Sequence, residues 1–191
     1  MIKTLILGTC LSLSVGGTAA AKNHHRQLKV QMNNIDATGV GKPAGTVTIK
    51  EVADGLELKV NLKGLPAGEH GFHVHESGNC GPADKDGKPA AGVAAGGHYD
   101  PEATKAHKGP AGGGHKGDLP KLEVDAKGVS TGTFKVAGIT LADVEGRSLM
   151  IHAAGDNYSD MPAALGGGGP RIVCGVVPTL PAAKAEATAK P

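Results

Sequence analysis

Apolar and polar residues alternate with a period of two in several short runs of this chain. Leu56, Leu58, Val60 and Leu62, with Glu57, Lys59 and Asn61 between them, are the clearest. Successive strand side chains point to opposite faces, so the run reads as a strand with one face in a core and one in water. Leu28, Val30 and Met32 give an earlier strand, and Val47 and Ile49 mark another over Thr46–Lys50. Ala53-Asp54-Gly55 supplies a hairpin turn before the Leu56 run. Lys121–Val124, Val129–Val136, Ser148–His152 and Ile172–Val177 read as strands, with a turn at residues 125–128, and a further strand surrounds His73 and His75. Ile139–Val144 reads as a crossover loop. No helical period or internal repeat interrupts the pattern. It predicts an all-β fold: an eight-stranded antiparallel Greek-key barrel or sandwich with two long functional loops.

Those loops are where the alternation stops. Residues 76–119 carry little periodicity and many glycines, and Gly155–Gly169 is a second glycine-rich stretch. A structureless loop as long as the first needs something to pin it, such as a disulfide or a metal. With two Phe, two Tyr and no Trp, the core must be built from Val, Ile, Leu and Ala. The 191 residues suffice for one domain with a single core. Twenty basic against eighteen acidic residues leave a net charge of +2, without a basic run interleaved with aromatics, so nucleic acid is not an expected partner.

The two ends differ from the middle. Lys3, the apolar run Leu5–Val15 and Ala19-Ala20-Ala21 have the three parts of a cleaved secretory signal over residues 1–21. That run is too short to span a bilayer, so no stable membrane anchor is expected. Cleavage after Ala21 removes Cys10 and leaves Cys80 and Cys174, which in an exported chain implies one disulfide. It also makes Lys22-Asn23-His24 the new terminus. Its amine, two backbone amides and imidazole would form a square-planar nitrogen set for Cu(II), with His25 adjacent. An idle, frayed terminus is the other expectation. Residues 178–191, rich in Ala, Lys and Pro, read as a disordered tail, which leaves 22–177 as the domain.

Chemistry concentrates between Gly71 and Asp118, where five of the nine histidines lie. In an extended strand His73 and His75 share one face while Phe72 and Val74 share the other. Paired neutral imidazoles suit a transition metal, copper or zinc above all. In chain order the candidate donors are His73, His75, His98, His107, His115, Asp118 and His152.

The motifs GFHVHE, GGHYDP, GGGHKGDLP, HAAGDNYSD and LGGGGPRIVCGVV together resemble the bacterial, exported copper–zinc superoxide dismutases, over about Gln27–Val177. The resemblance implies one copper ion on His73, His75, His98 and His152, and one zinc ion on His98, His107, His115 and Asp118, with His98 bridging. It further implies that Asp156 is hydrogen-bonded to ligands of both metals, that Cys80 pairs with Cys174, and that Arg171 meets the anionic substrate. The implied reaction converts superoxide to oxygen and hydrogen peroxide in the periplasm by copper redox cycling, with His98 delivering a proton. The donor types agree: three imidazoles and a carboxylate close a tetrahedral zinc site, while four imidazoles around copper leave a side open. Family members occur as dimers and as monomers, so a homodimer is one expectation.

One departure concerns substrate steering. Bacterial relatives often carry a lysine between Asp156 and Pro170, where this chain has Met161 and Ala163. Steering would then fall to Arg171 with Lys105, Lys108 or Lys116. A periplasmic copper or zinc buffer on the same fold is the competing class. It would be expected to lack a copper histidine, the bridge or the arginine, and this sequence lacks none of them.

Overall fold

Seven of the strands form one strongly curled antiparallel sheet. The computed structural model describes residues 26–110 and 112–180; the signal segment, His24, His25 and the tail beyond residue 180 lie outside them. The strands are β1 (Gln27–Asp36), β2 (Gly39–Val52), β3 (Gly55–Lys63), β4 (Gly68–His70), β5 (Phe72–His75), β6 (Ala83–Lys85), β7 (Lys88–Ala90), β8 (Leu122–Val124), β9 (Val129–Ala137), β10 (Ser148–His152) and β11 (Arg171–Val176). The large sheet has the order β5-β10-β11-β1-β2-β3-β9, and β4 pairs with β8 and β6 with β7 separately. The result is a half-barrel whose concave side holds the core.

Among the described residues, eleven strands replace the expected eight. The difference lies in β4 and in the β6–β7 hairpin, which sits inside the loop expected to have no regular structure. β1 and β2 also outrun their alternating cores. Their pairing slips between Met32 and Asn33 and again before Ile35, and such a bulge resets the inward–outward pattern. The crossover at 139–144 contains one helical turn, α1 (Leu141–Val144). It is closed by a capping box in which Thr140 and Asp143 each accept from the other's backbone N–H.

Leu28, Val30 and Met32 of β1 and Leu56, Leu58, Val60 and Leu62 of β3 are all buried, as the alternation requires. β5 and β10 are buried on both faces. One face of β5 sends Phe72 and Val74 into the core, and the long loop covers the other, which carries His73 and His75. Cys80 and Cys174 form a disulfide with Cα atoms 5.7 Å apart and a sequence separation of 94. It ties the long loop to β11 beside a small apolar cluster of Ile35, Ala95 and Met150.

Candidate metal centre

The donors come together from five separate places. His73 and His75 stand on β5, His152 ends β10, and His98 and Asp118 are brought against β5 by single bridges, His73 to Asp118 and His75 to His98. His107 comes from the middle of the loop. Two donor sets result, His73, His75, His98 and His152, and His73, His98, His107 and Asp118, each with its ligand atoms within 4.8 Å of one another. His115 stands just beyond the second set, its Nδ1 3.4 Å from Asp118 Oδ1.

The hydrogen bonds around these rings decide which nitrogens are free. His75 Nδ1 donates to Gly96 O at 3.0 Å and His152 Nδ1 to Gly169 O at 3.1 Å. Each ring therefore turns a lone pair outward at Nε2, and the two Nε2 atoms lie 3.4 Å apart. Two facing lone pairs repel unless a cation sits between them. Among the described residues, His73 Nδ1, His98 Nε2, His107 Nδ1, His115 Nδ1 and Asp118 Oδ2 are buried with no hydrogen-bond partner. His107 Nδ1 is 3.0 Å from Asp118 Oδ2, but the pair lacks the alignment of a hydrogen bond. Buried polar atoms are seldom left so in native proteins, and five in one cluster fit metal ions.

Burial sets the charge of the first set. It pushes His73 down to about 3 and His152 to about 4, and lowers His75 and His98 as well, so all four imidazoles are neutral ligands at ordinary pH. His107 behaves in the opposite way. Burial works against its charge, but the carboxylates of Asp118, 3.0 Å away, and of Asp156, which is hydrogen-bonded to it, outweigh that and raise it to about 9. Burial alone would raise the two carboxyls. Instead the His107 and His98 rings hold Asp118, and the His107 and His73 rings hold Asp156, well below the usual range. A metal on the second set must displace the proton of His107.

Asp156 lies between rings of the two sets. Its Oδ2 is 2.7 Å from His73 Nε2 and its Oδ1 2.8 Å from His107 Nε2, so one carboxylate orients a ring of each set. Gly166 makes room for this arrangement. Its φ is +71°, and a Cβ there would collide with the Asp156 carboxylate and the His107 ring.

A cavity of about 820 Å³ opens over His152 and Arg171, walled by Lys85, Ala91, Val93 and Leu165. The Arg171 guanidinium is fixed by bonds from Nη1 to Gly92 O at 2.5 Å and from Nη2 to Gly96 O at 2.6 Å. Gly96 O thus accepts from both Arg171 and His75. The lysine on this wall is Lys85, on the β6–β7 hairpin. Lys116 is instead bonded to Asp143 at 2.9 Å, and it lines a different, smaller cavity beside His115. Lys105 and Lys108 are not among the residues lining the larger cavity. Sequence reasoning also passed over His70, whose buried ring spans His152 O at 2.7 Å and Pro66 O at 2.9 Å and so anchors the end of β10. A histidine three residues before a His-x-His pair was the available signal.

A curled antiparallel sheet carrying two adjoining donor sets, one neutral and open to a cationic channel and one closed by carboxylate, defines a copper- and zinc-binding oxidoreductase. The family model described as copper/zinc superoxide dismutase (SODC) matches residues 43–177. The chain belongs to this family: it is an enzyme that dismutes superoxide and has a copper site and a zinc site. It is 48% identical over 177 residues to superoxide dismutase (Cu-Zn) 2 of Salmonella typhimurium, covering 92% of this chain and 99% of the relative. The solved copper–zinc superoxide dismutase of Brucella abortus is 51% identical with a TM-score of 0.78, covering 79% of this chain and 99% of its own. The solution structure of the monomeric enzyme of Salmonella enterica is 50% identical with a TM-score of 0.70, covering 80% and 99%.

Proposed function

We propose that His73, His75, His98 and His152 hold the copper, that His98, His107, His115 and Asp118 hold the zinc, and that His98 serves both. The state of two rings supports this division. His73 has spent Nε2 on Asp156, so one nitrogen remains for one metal. His98 offers a partnerless Nε2, and its Nδ1 is hydrogen-bonded at 3.0 Å to Asp118 Oδ1, itself a proposed zinc donor, so a zinc ion there would take the place of that bond. His115 supplies the fourth zinc donor because its Nδ1 is buried, partnerless and turned toward Asp118.

Bound copper supplies the one-electron chemistry, and zinc, which has no redox chemistry, supplies order and charge. The side chains do the rest. The Arg171 guanidinium, held by two carbonyls, presents a fixed positive charge to the superoxide anion beside His152. His98 Nε2 is the atom at which a proton can be held next to the substrate and passed to the departing peroxide.

Lys85 extends the positive field to the mouth of the cavity. Lys85→Ser is expected to slow turnover about two- to fivefold at low ionic strength, with the deficit shrinking as salt rises. Rates across a salt series check this, and an unchanged salt slope would remove Lys85 from the role.

Export to the periplasm is part of this proposal, supported by the signal pattern of residues 1–21, the bacterial relatives, and a disulfide of the kind that persists in oxidising compartments. The functional domain is taken as 22–177, followed by the Ala/Lys/Pro tail. Between dimer and monomer we favour the monomer. The large hydrophobic side chains exposed among the described residues are Val40, Met161, Leu165 and Val176, which is little for a stable self-interface. Metal analysis of the purified mature chain, with superoxide assays before and after chelation, tests the whole reading. A copper and a zinc per chain are expected, with activity that leaves with the copper. A fully loaded preparation no more active than free copper would favour the metal buffer.

A further inference from the structure

Asp160 plays no part in the reading above, yet it joins two segments on which the site depends. Its Oδ2 accepts the backbone N–H of His107 at 2.8 Å, and its Oδ1 accepts the backbone N–H of Leu165 at 3.1 Å. His107 is the central zinc-side donor, and Leu165 is part of the cavity wall that faces His152 and Arg171. The neighbouring residues brace the same joint. Gly166 N–H donates to Ser159 O at 2.9 Å, and Asn157 N–H donates to Gly166 O at 3.2 Å. Leu165 is held at a φ of 55°, a conformation that a branched residue keeps only when its surroundings enforce it. One carboxylate therefore grips the backbone of a zinc ligand with one oxygen and the backbone of the channel wall with the other. Bonds from N–H groups to a charged acceptor are stronger than neutral ones. The two oxygens of a rigid carboxylate also cannot move independently.

We propose that Asp160 is a positioning residue that couples the zinc side to the channel wall. Seating of the zinc-side donors fixes the His107 backbone, His107 fixes Asp160, and Asp160 holds the Leu165 segment at the edge of the copper-side opening. A zinc-loaded chain thus has a more rigid channel than a zinc-free one before any copper is present. This inference rests on the assignment of His107 to zinc.

The test uses the copper-free mature chain with and without zinc, and reads amide hydrogen exchange at Asn157 and Gly166, whose own bonds do not involve Asp160. In the wild type, zinc is expected to slow exchange at these amides at least about fivefold, the low end of ordinary coupling between sites. In Asp160→Asn one of the two backbone donors meets an amide NH2, and the zinc-dependent slowing should fall below about twofold. Protection of Asp118 by zinc should persist, and Asp160→Glu, which restores the carboxylate, should recover part of the effect. A merely structural Asp160 would lower protection equally with and without zinc. An unchanged zinc effect in Asp160→Asn, no zinc effect in the wild type, or complete loss of zinc binding in Asp160→Asn would each overturn the proposal. The last would show the carboxylate assembling the ligand set rather than transmitting from it. A separate His107→Ala chain isolates the underlying assignment. If it keeps a tetrahedral cobalt(II) spectrum on the zinc side, the assignment falls and the coupling with it.

Discussion

Replacing His152 with alanine is expected to cut superoxide dismutation at least about a hundredfold, since loss of even an outer hydrogen-bond partner of a metal ligand costs ten- to a hundredfold. The same variant should keep metal on its zinc side. His152 belongs to the first donor set alone. Its Nε2 faces His75 Nε2 at 3.4 Å, and removing it leaves three imidazoles with an opening where a ligand stood. The damage stays local because the backbone there is held independently, by His70 on its carbonyl and by Gly71 O on its N–H at 2.9 Å. Asp118→Ala is the contrasting case: it should loosen the loop and lower thermal stability while part of the copper remains. Metal content and activity measured on both variants check this. Equal loss of both metals from both chains would show that the division of ligands is wrong.

Breaking the Cys80–Cys174 bond should be nearly as damaging to stability as His152→Ala is to catalysis. The bond spans 94 residues. On the chain-entropy account, a loop of roughly that length is worth about 4.7 kcal/mol, with measured losses in small secreted domains of about 2–5 kcal/mol. The Cys80→Ser, Cys174→Ser chain is therefore expected to lose several kcal/mol in urea unfolding. A functional effect should accompany the thermodynamic one. The bond anchors the loop that carries Gly92 and Gly96, whose carbonyls aim Arg171. Freed of that anchor, the guanidinium should wander and anion capture should weaken. A double-serine chain as stable as its parent would refute the expectation, as would two reactive thiols titrated in the native exported protein.

How much of this could be read from the residues alone depended on distance along the chain. The Leu56–Leu62 run stated its strand outright, because one face of β3 is wholly in the core. The donor motifs were equally legible, since each is short and carried by one strand or one tight loop. β1 and β2 were found only in part because their slipped register breaks the alternation. α1 was missed because a single turn has no period to detect; its signal was the Thr140/Asp143 cap. Asp160 and His70 escaped for another reason. Each acts on a residue at least 50 positions away, such as Asp160 on His107, a separation of 53. Nothing in the local sequence of either partner announces the other.

The pairing of the long loop with β5 reaches beyond catalysis. β5 is the last strand of the large sheet, and its outer backbone groups are occupied by the loop: Leu119 N–H donates to Phe72 O at 3.2 Å, Tyr99 N–H to Val74 O at 2.8 Å, and Val74 N–H to Gly117 O at 2.8 Å. An uncovered edge of this kind, next to buried Phe72 and Val74, is a template for strands of other molecules. The segment that gathers the donors is thus also the lid on a sticky seam. A chain in which this segment opened would expose that seam, so the contacts that gather the donors also guard the edge of the sheet.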